Sequence, residues 1–223
     1  MQPLVSVIIP FYKAERFISE TLQSVFDQEY PNLEIIVVND GSPDETLSVL
    51  NSFEGKIKII SQKNQGQAAA RNTGIQNAQG DIIALLDADD LWPNNHLSLM
   101  VPHLIGETSY DFVRGMVECF KMNDDGSREI SDPSFLEVLL GAALYRRSVF
   151  DRTGLFDPLM REGEDLDWNL RLRESGCTEK RIPETTLLYR RHDLNATNKR
   201  DFIKNGQFLS IKKKLERMRA QAQ

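Results

Sequence analysis

Apolar positions in the first ninety residues fall into short β-branched runs separated by amphipathic stretches. Val5, Val7, Ile8 and Ile9 read as a strand, and Ile18, Thr21, Leu22, Val25 and Phe26 then recur at the spacing of one helix face. The same alternation predicts a strand over 33–38, a helix over 44–53, a strand over 56–60, a helix over about 67–77 and a strand over 81–86. Uninterrupted apolar strands have both faces covered. The pattern therefore predicts an α/β fold, a mostly parallel, doubly wound central sheet with helices on both faces.

After residue 86 the rhythm is less regular. A helix is expected over 93–104, a strand over 111–120 and a turn at Asn123-Asp124-Asp125-Gly126-Ser127. A second apolar stretch runs from Phe135 to Tyr145, and 164–174 reads as a helix closed by Gly176. Charge sets off one more segment. The chain has 33 Asp+Glu against 27 Lys+Arg, a net −6, yet residues 199–223 alone carry a net +6. In that tail Phe202, Ile203, Phe208, Leu209, Ile211, Leu215 and Met218 partly share a helical face among Lys212, Lys213, Lys214, Arg217 and Arg219. A basic terminal helix follows, either docked on the domain or drawn to an anionic membrane surface or partner.

The acidic balance argues against nucleic acid as the main partner. Two cysteines, Cys119 and Cys177, make neither a disulfide scaffold nor a zinc site, and no apolar run approaches the ~20 residues of a membrane span. The expected setting is cytoplasmic, with peripheral contact at the inner face of the membrane open through the tail.

Ligands of open parallel sheets bind beyond the carboxyl ends of the strands, so the residues just after each strand are the ones to inspect. Pro10, Tyr12 and Glu15 follow the first, Asn39-Asp40-Gly41-Ser42 the second, and Asp87-Ala88-Asp89-Asp90 the fourth. In an extended segment Asp87 and Asp89 share a side, and such a pair can hold Mg²⁺ or Mn²⁺ with substrate phosphates in the remaining positions. Gly66-Gln67-Ala68-Ala69-Ala70-Arg71 suits either an anion at a helix start or close helix-on-sheet packing. No G-x-G-x-x-G, P-loop or G-x-S-x-G pattern occurs, which argues against a dinucleotide oxidoreductase, a P-loop NTPase and a serine hydrolase. Near Gly163, Glu162, Glu164, Asp165 and Asp167 either complement a helix dipole or supply a general base. In Tyr189-Arg190-Arg191-His192, a strand end, the histidine suits a metal and an arginine suits an anion.

Five stretches together resemble family 2 glycosyltransferases of the GT-A fold: residues 5–12, 34–42, 70–74, 85–90 and 163–165, in matching order and separation. The resemblance covers about residues 4–195. It implies a Rossmann-like GT-A domain over 1–198, with a nucleotide-binding half (1–104) and an acceptor-binding half (105–198), followed by the basic tail (199–223). It implies transfer of a sugar from a nucleotide diphosphate, usually a UDP-sugar, to a hydroxyl of a glycan, lipid-linked or small-molecule acceptor, with inversion. By the same resemblance Pro10, Tyr12, Glu15 and Asp40 line the base pocket, Arg71 and Asp87 hold the nucleoside, and Asp89 with His192 binds Mn²⁺ or Mg²⁺. Asp165 is the implied general base, with Glu164 beside it orienting the acceptor or donor; Trp92 resembles the aromatic residue after the metal motif, and Gly141-Ala142-Ala143 a segment facing the donor sugar. An NDP-sugar pyrophosphorylase would carry a Gly-rich basic loop where Pro10–Glu15 stand, and a non-catalytic sugar-nucleotide-binding scaffold would tolerate loss of Asp165.

Overall fold

The computed structural model describes residues 2–106, 109–135, 139–195, 198 and 200–221. Its parallel half is built from β1 (Val5–Phe11), β2 (Leu33–Asn39), β3 (Lys58–Ser61) and β4 (Ile82–Leu85), in the order β3-β2-β1-β4. Every residue of β1 is buried, as its unbroken apolar run requires. The crossovers are α1 (Ile18–Phe26), α2 (Thr46–Leu50) and α3 (Gln67–Asn77). Val5, Val7 and Ile9 pack with Ile18, Leu22 and Val25 of α1 on one face, while Ile8 packs with Ala68 and Ile75 of α3 on the other. A Cβ on Gly74 would lie 2.3 Å from Ile8 Cγ2, so the small residues of α3 serve close packing against the sheet.

Two expected helices are shorter in the structure. Asp44 accepts the Thr46 hydroxyl at 2.7 Å and holds the chain in a turn, so α2 starts only at Thr46 and passes into a 3₁₀ turn over Asn51–Phe53. In the 93–104 stretch, α4 (His96–Met100) gives way to a 3₁₀ turn at Val101–Leu104 because Pro102 has no N–H to continue the α ladder.

The second half completes the sheet with β5 (Phe112–Met122), β6 (Arg128–Phe135), β7 (Ala143–Arg146) and β8 (Glu179–Arg190). β7 lies antiparallel between β4 and β5, β6 pairs antiparallel with β5, and β8 pairs parallel with β5, so six of the eight strands share one direction. Asn123 N–H bonds to Ser127 O at 2.9 Å and closes the β5–β6 turn as expected. The apolar stretch 135–145 contains the end of β6, a 3₁₀ turn at Leu140–Ala142 and most of β7; its residues 136–138 lie outside the described ones. α5 (Arg147–Thr153) and α6 (Glu164–Glu174) follow, and Tyr145, Phe150, Phe156 and Trp168 form an aromatic cluster beneath them. The basic tail is α7 (Arg200–Gln221), which runs along α6.

The motif-adjacent Trp92 and the small-residue segment at 141 are core elements. Trp92 is buried and its indole N–H donates to Gly141 O at 3.0 Å, while Gly141 sits against Leu187. Beside them His96 is fully enclosed, stacks on Trp92 with centroids 4.0 Å apart and donates Nδ1–H to Thr186 O at 2.7 Å. Its Nε2 is buried without a partner, and burial pushes its pKa down to about 3.

This histidine is neutral in the fold and protonated in the unfolded chain below pH ~6.5, so its contribution to stability is complete above that pH and is lost as the pH falls toward 3. Between pH 6.5 and 4.5 the loss is about 2 kcal/mol. Urea denaturation of His96→Phe, which keeps the stack on Trp92, should give a stability profile flatter by that amount over the same range. Parallel profiles for the two proteins would contradict the assignment.

Candidate active site

The loops after β1 and β2 are stapled together at the carboxyl edge of the sheet. Lys13 turns the chain with a left-handed φ of 58° and donates its N–H to Ser42 Oγ at 2.7 Å. Glu15 Oε2 accepts the Glu45 N–H at 3.0 Å, Pro10 is buried, and Tyr12 is half exposed above them. Asp40 is buried and accepts Gln62 Nε2, Gln65 N–H and Gly66 N–H, each at 2.8 Å, so its carboxylate fixes the 62–66 loop against β2. Gly41 allows that approach: its φ is 69°, and a Cβ would stand 2.8 Å from Asn64 N.

Arg71, on α3, joins the two halves of the domain. Its guanidinium is buried, bonds to Asp87 Oδ1 at 2.8 Å and to Glu164 Oε1 at 2.9 Å, and lies 5.6 Å from the Phe156 ring. Gln67 Nε2 gives Asp87 Oδ1 a second donor at 2.7 Å. Burial disfavours the charge on Arg71, but Asp87, Glu164 and Asp165 outweigh it and hold the guanidinium protonated. Burial raises the pKa of Glu164, against the pull of Arg71, and the neighbouring Asp165 adds to the rise.

Three of the four acids around Gly163 thereby separate. Glu164 faces inward to Arg71, and Asp167 is buried between Arg171 at 3.0 Å and Arg217 at 2.8 Å. Asp165 stays partly exposed at the start of α6, with Oδ1 accepting the Leu166 N–H at 2.7 Å. Glu164, expected to orient the acceptor or donor, is buried with its carboxylate on Arg71.

Asp87 and Asp89 do not lie on an extended segment. Asp90 N–H bonds back to Asp87 O at 3.2 Å, and this turn sends the two carboxylates to different partners. Asp87 goes to Arg71, whereas Asp89 Oδ2 lies 2.9 Å from His192 Nε2. His192 Nδ1 accepts the Leu194 N–H at 3.1 Å, so Nε2 carries the proton and donates to Asp89. The ring is stacked on Phe17 at 4.4 Å, and its own N–H bonds to Asn195 Oδ1 at 2.6 Å.

Arg190, one of the two arginines suited to an anion, is a buried strut. Its guanidinium lies between Phe17 and Phe120, donates Nε–H to Asp89 O at 2.7 Å and pairs with Glu20 at 2.6 Å. Its backbone N–H bonds to Asp90 Oδ1 at 2.9 Å, and burial, reinforced by Asp89 and Asp87, pushes the Asp90 pKa well up. Glu20, Asp90 and Asn195 hold this corner, and sequence reasoning gave none of them a role. The one available signal was position: Asp90 closes the acidic run and Asn195 comes three residues after His192.

The donor set fits a hard divalent cation held mainly by substrate. The Asp89 carboxylate is 30% exposed at the rim, but no group of three or more His, Cys, Asp or Glu side chains is placed to hold a metal ion among the described residues. His192 Nε2 and Asp89 Oδ2, from the two residues expected to hold the cation, stand 2.9 Å apart.

The profile of Glycosyl transferase family 2 matches residues 6–162. The chain belongs to this family. The match includes Pro10, Tyr12, Glu15, Asp40, Arg71, Asp87 and Asp89 and stops just before Glu164 and Asp165. The uncharacterized glycosyltransferase EpsJ of Bacillus subtilis is 31% identical over 88% of this chain and 64% of its own length. The Escherichia coli UDP-Glc:alpha-D-GlcNAc-diphosphoundecaprenol beta-1,3-glucosyltransferase WfgD is 38% identical over 54% of this chain and 48% of its own. This family 2 chain thus spans less than two thirds of either relative. Among solved structures, residues 1–349 of S. aureus TarS in complex with UDP-GlcNAc share the fold, with a TM-score of 0.72, 21% identity, and coverage of 87% of this chain and 60% of that one.

Replacing Arg71 by Met strands two carboxylates, one of them buried, and should cost about 3 kcal/mol in urea denaturation. Adding Glu164→Gln, which removes the buried unpaired charge, should recover part of that loss. A loss below about 1 kcal/mol for Arg71→Met would show that the halves are held together elsewhere.

Proposed function

We propose that the protein is an inverting glycosyltransferase that moves a sugar, in the simplest case a hexose from a UDP-linked donor, to an acceptor hydroxyl in the assembly of cell-surface polysaccharide or glycolipid. The observation that carries this reading is Arg71, which bonds at once to Asp87 at the donor edge and to Glu164 beside Asp165. Family membership, the fold shared with a UDP-GlcNAc-bound structure and a relative named for UDP-glucose and a diphosphoundecaprenol acceptor support it.

In this reading Pro10, Tyr12, Glu15 and Asp40 form the base pocket, with Asp40 acting through the 62–66 loop that it fixes. Asp87 receives the nucleoside, held in place by Arg71 and Gln67. Asp89 would hold a Mn²⁺ or Mg²⁺ ion, which would supply positive charge to stabilise the departing diphosphate. His192 keeps the Asp89 carboxylate turned toward that position. Asp165 takes the proton of the acceptor hydroxyl while its oxygen bonds to the anomeric carbon. The bond from that carbon to the diphosphate breaks, and the electron pair leaves with the nucleoside diphosphate. One displacement inverts the carbon, with no covalent enzyme intermediate.

Asp165→Asn tests the base directly. UDP release from a panel of UDP-hexoses, supplied with lipid-linked and free sugar acceptors, should fall by about 10²–10⁴-fold. UDP affinity should change less than threefold. Turnover within threefold of the parent would remove Asp165 from this role.

A further inference from the structure

α7 docks by its polar edge. Gly206, Ser210, Lys213 and Arg217, at the spacing of one helix face, meet the domain. Gly206 leaves no room for a Cβ against Gly163, and Ser210 Oγ donates to Gly163 O at 2.9 Å. Lys213 pairs with Asp157, and Arg217 bonds to Asp167 and Glu174, each at 2.8 Å. A 100° turn per residue puts Phe208, Ile211, Leu215 and Met218 on the opposite side. They are 69%, 54%, 49% and 52% exposed, an apolar stripe about 15 Å long that faces away from the protein.

The cations around this stripe indicate what covers it. Lys212 and Arg219 run along one edge, Lys214 lies on the other, and Lys204 continues the stripe toward the start of the helix. The only acid between residues 204 and 221 is Glu216. A second copy of the chain would bring like charges together along such a stripe, whereas anionic headgroups meet the cations while acyl chains take the apolar residues. Long Lys and Arg stems reach from the apolar level back to the headgroups. Among the described residues no helix is long and apolar enough to cross a membrane, so the contact lies in the interface plane.

We infer that the outer face of α7, centred on Phe208, Ile211, Leu215 and Met218, is a peripheral docking surface for anionic phospholipid membranes. The inference stands apart from the catalytic reading, because neither the stripe nor its cations belong to the site described above.

Cosedimentation of the full chain with phosphatidylglycerol-containing and pure phosphatidylcholine vesicles tests it. Partition should be at least tenfold stronger on the anionic vesicles and should fall at 0.5 M salt. Phe208→Ser/Leu215→Ser should weaken it at least fivefold. Lys212→Glu/Arg219→Glu should weaken it by about fivefold or more per cation. These side chains are exposed, so circular dichroism and the melting temperature should match the parent. Equal partition on both vesicle types, or no effect of either pair, would overturn the proposal. So would a dimer in analytical ultracentrifugation that Phe208→Ser/Leu215→Ser dissolves, since a second copy would then be the occupant.

Discussion

A guanidinium taken out of water is tolerable only if carboxylates surround it, and the carboxylates that surround Arg71 come from opposite ends of the fold. Asp87 follows β4 in the parallel half; Glu164 opens α6 in the second half, 93 residues from Arg71 along the chain. The interaction therefore constrains more than local geometry. It fixes the acidic loop relative to α3, sets where α6 begins, and so decides where Asp165 stands relative to the carboxyl edge of the sheet. Phe156 closes the arginine off from water, which makes the pairing obligatory.

The opposite wall of the cleft follows the same logic with different partners. Arg190 is buried between two phenyl rings and spends its donors on Glu20 and the Asp89 carbonyl, while the buried Asp90 accepts its backbone N–H. Through this corner β8 delivers His192 to Asp89. The acidic run after β4 is thus divided by position. Asp87 leans to one buried arginine, Asp90 anchors the strand that carries the other, and Asp89 meets His192.

The parallel half of the fold was legible in the sequence because the apolar runs of β1, β2 and β4 are buried and α1 is amphipathic, patterns carried by residue order. β6 and β7 were not, since Arg128–Phe135 alternates weakly and the stretch before Tyr145 mixes a strand with a 3₁₀ turn. Motif positions pointed to the carboxyl edge, where the structure brings Asp40, Arg71, Asp87 and Asp89. What they could not reveal is direction: an extended reading of residues 87–89 places both acids together, whereas the turn closed by the Asp90 N–H separates them. Likewise the sequence Tyr189–His192 shows cations beside a histidine, but only the packing of Phe17 and Phe120 shows that Arg190 is enclosed. Partners distant in sequence, such as Glu20 for Arg190, leave no local signal.

The central claim is that the carboxyl edge of β1, β2 and β4 is a donor site for a nucleoside diphosphate held with a divalent cation at Asp89. Calorimetric titration of the protein with UDP, in Mn²⁺ and then in chelator, measures it most directly. The account predicts binding with Mn²⁺ that weakens at least tenfold in chelator and is selective for uridine over other nucleoside diphosphates. Binding of equal strength with and without the cation, or no binding of any nucleoside diphosphate, would contradict it.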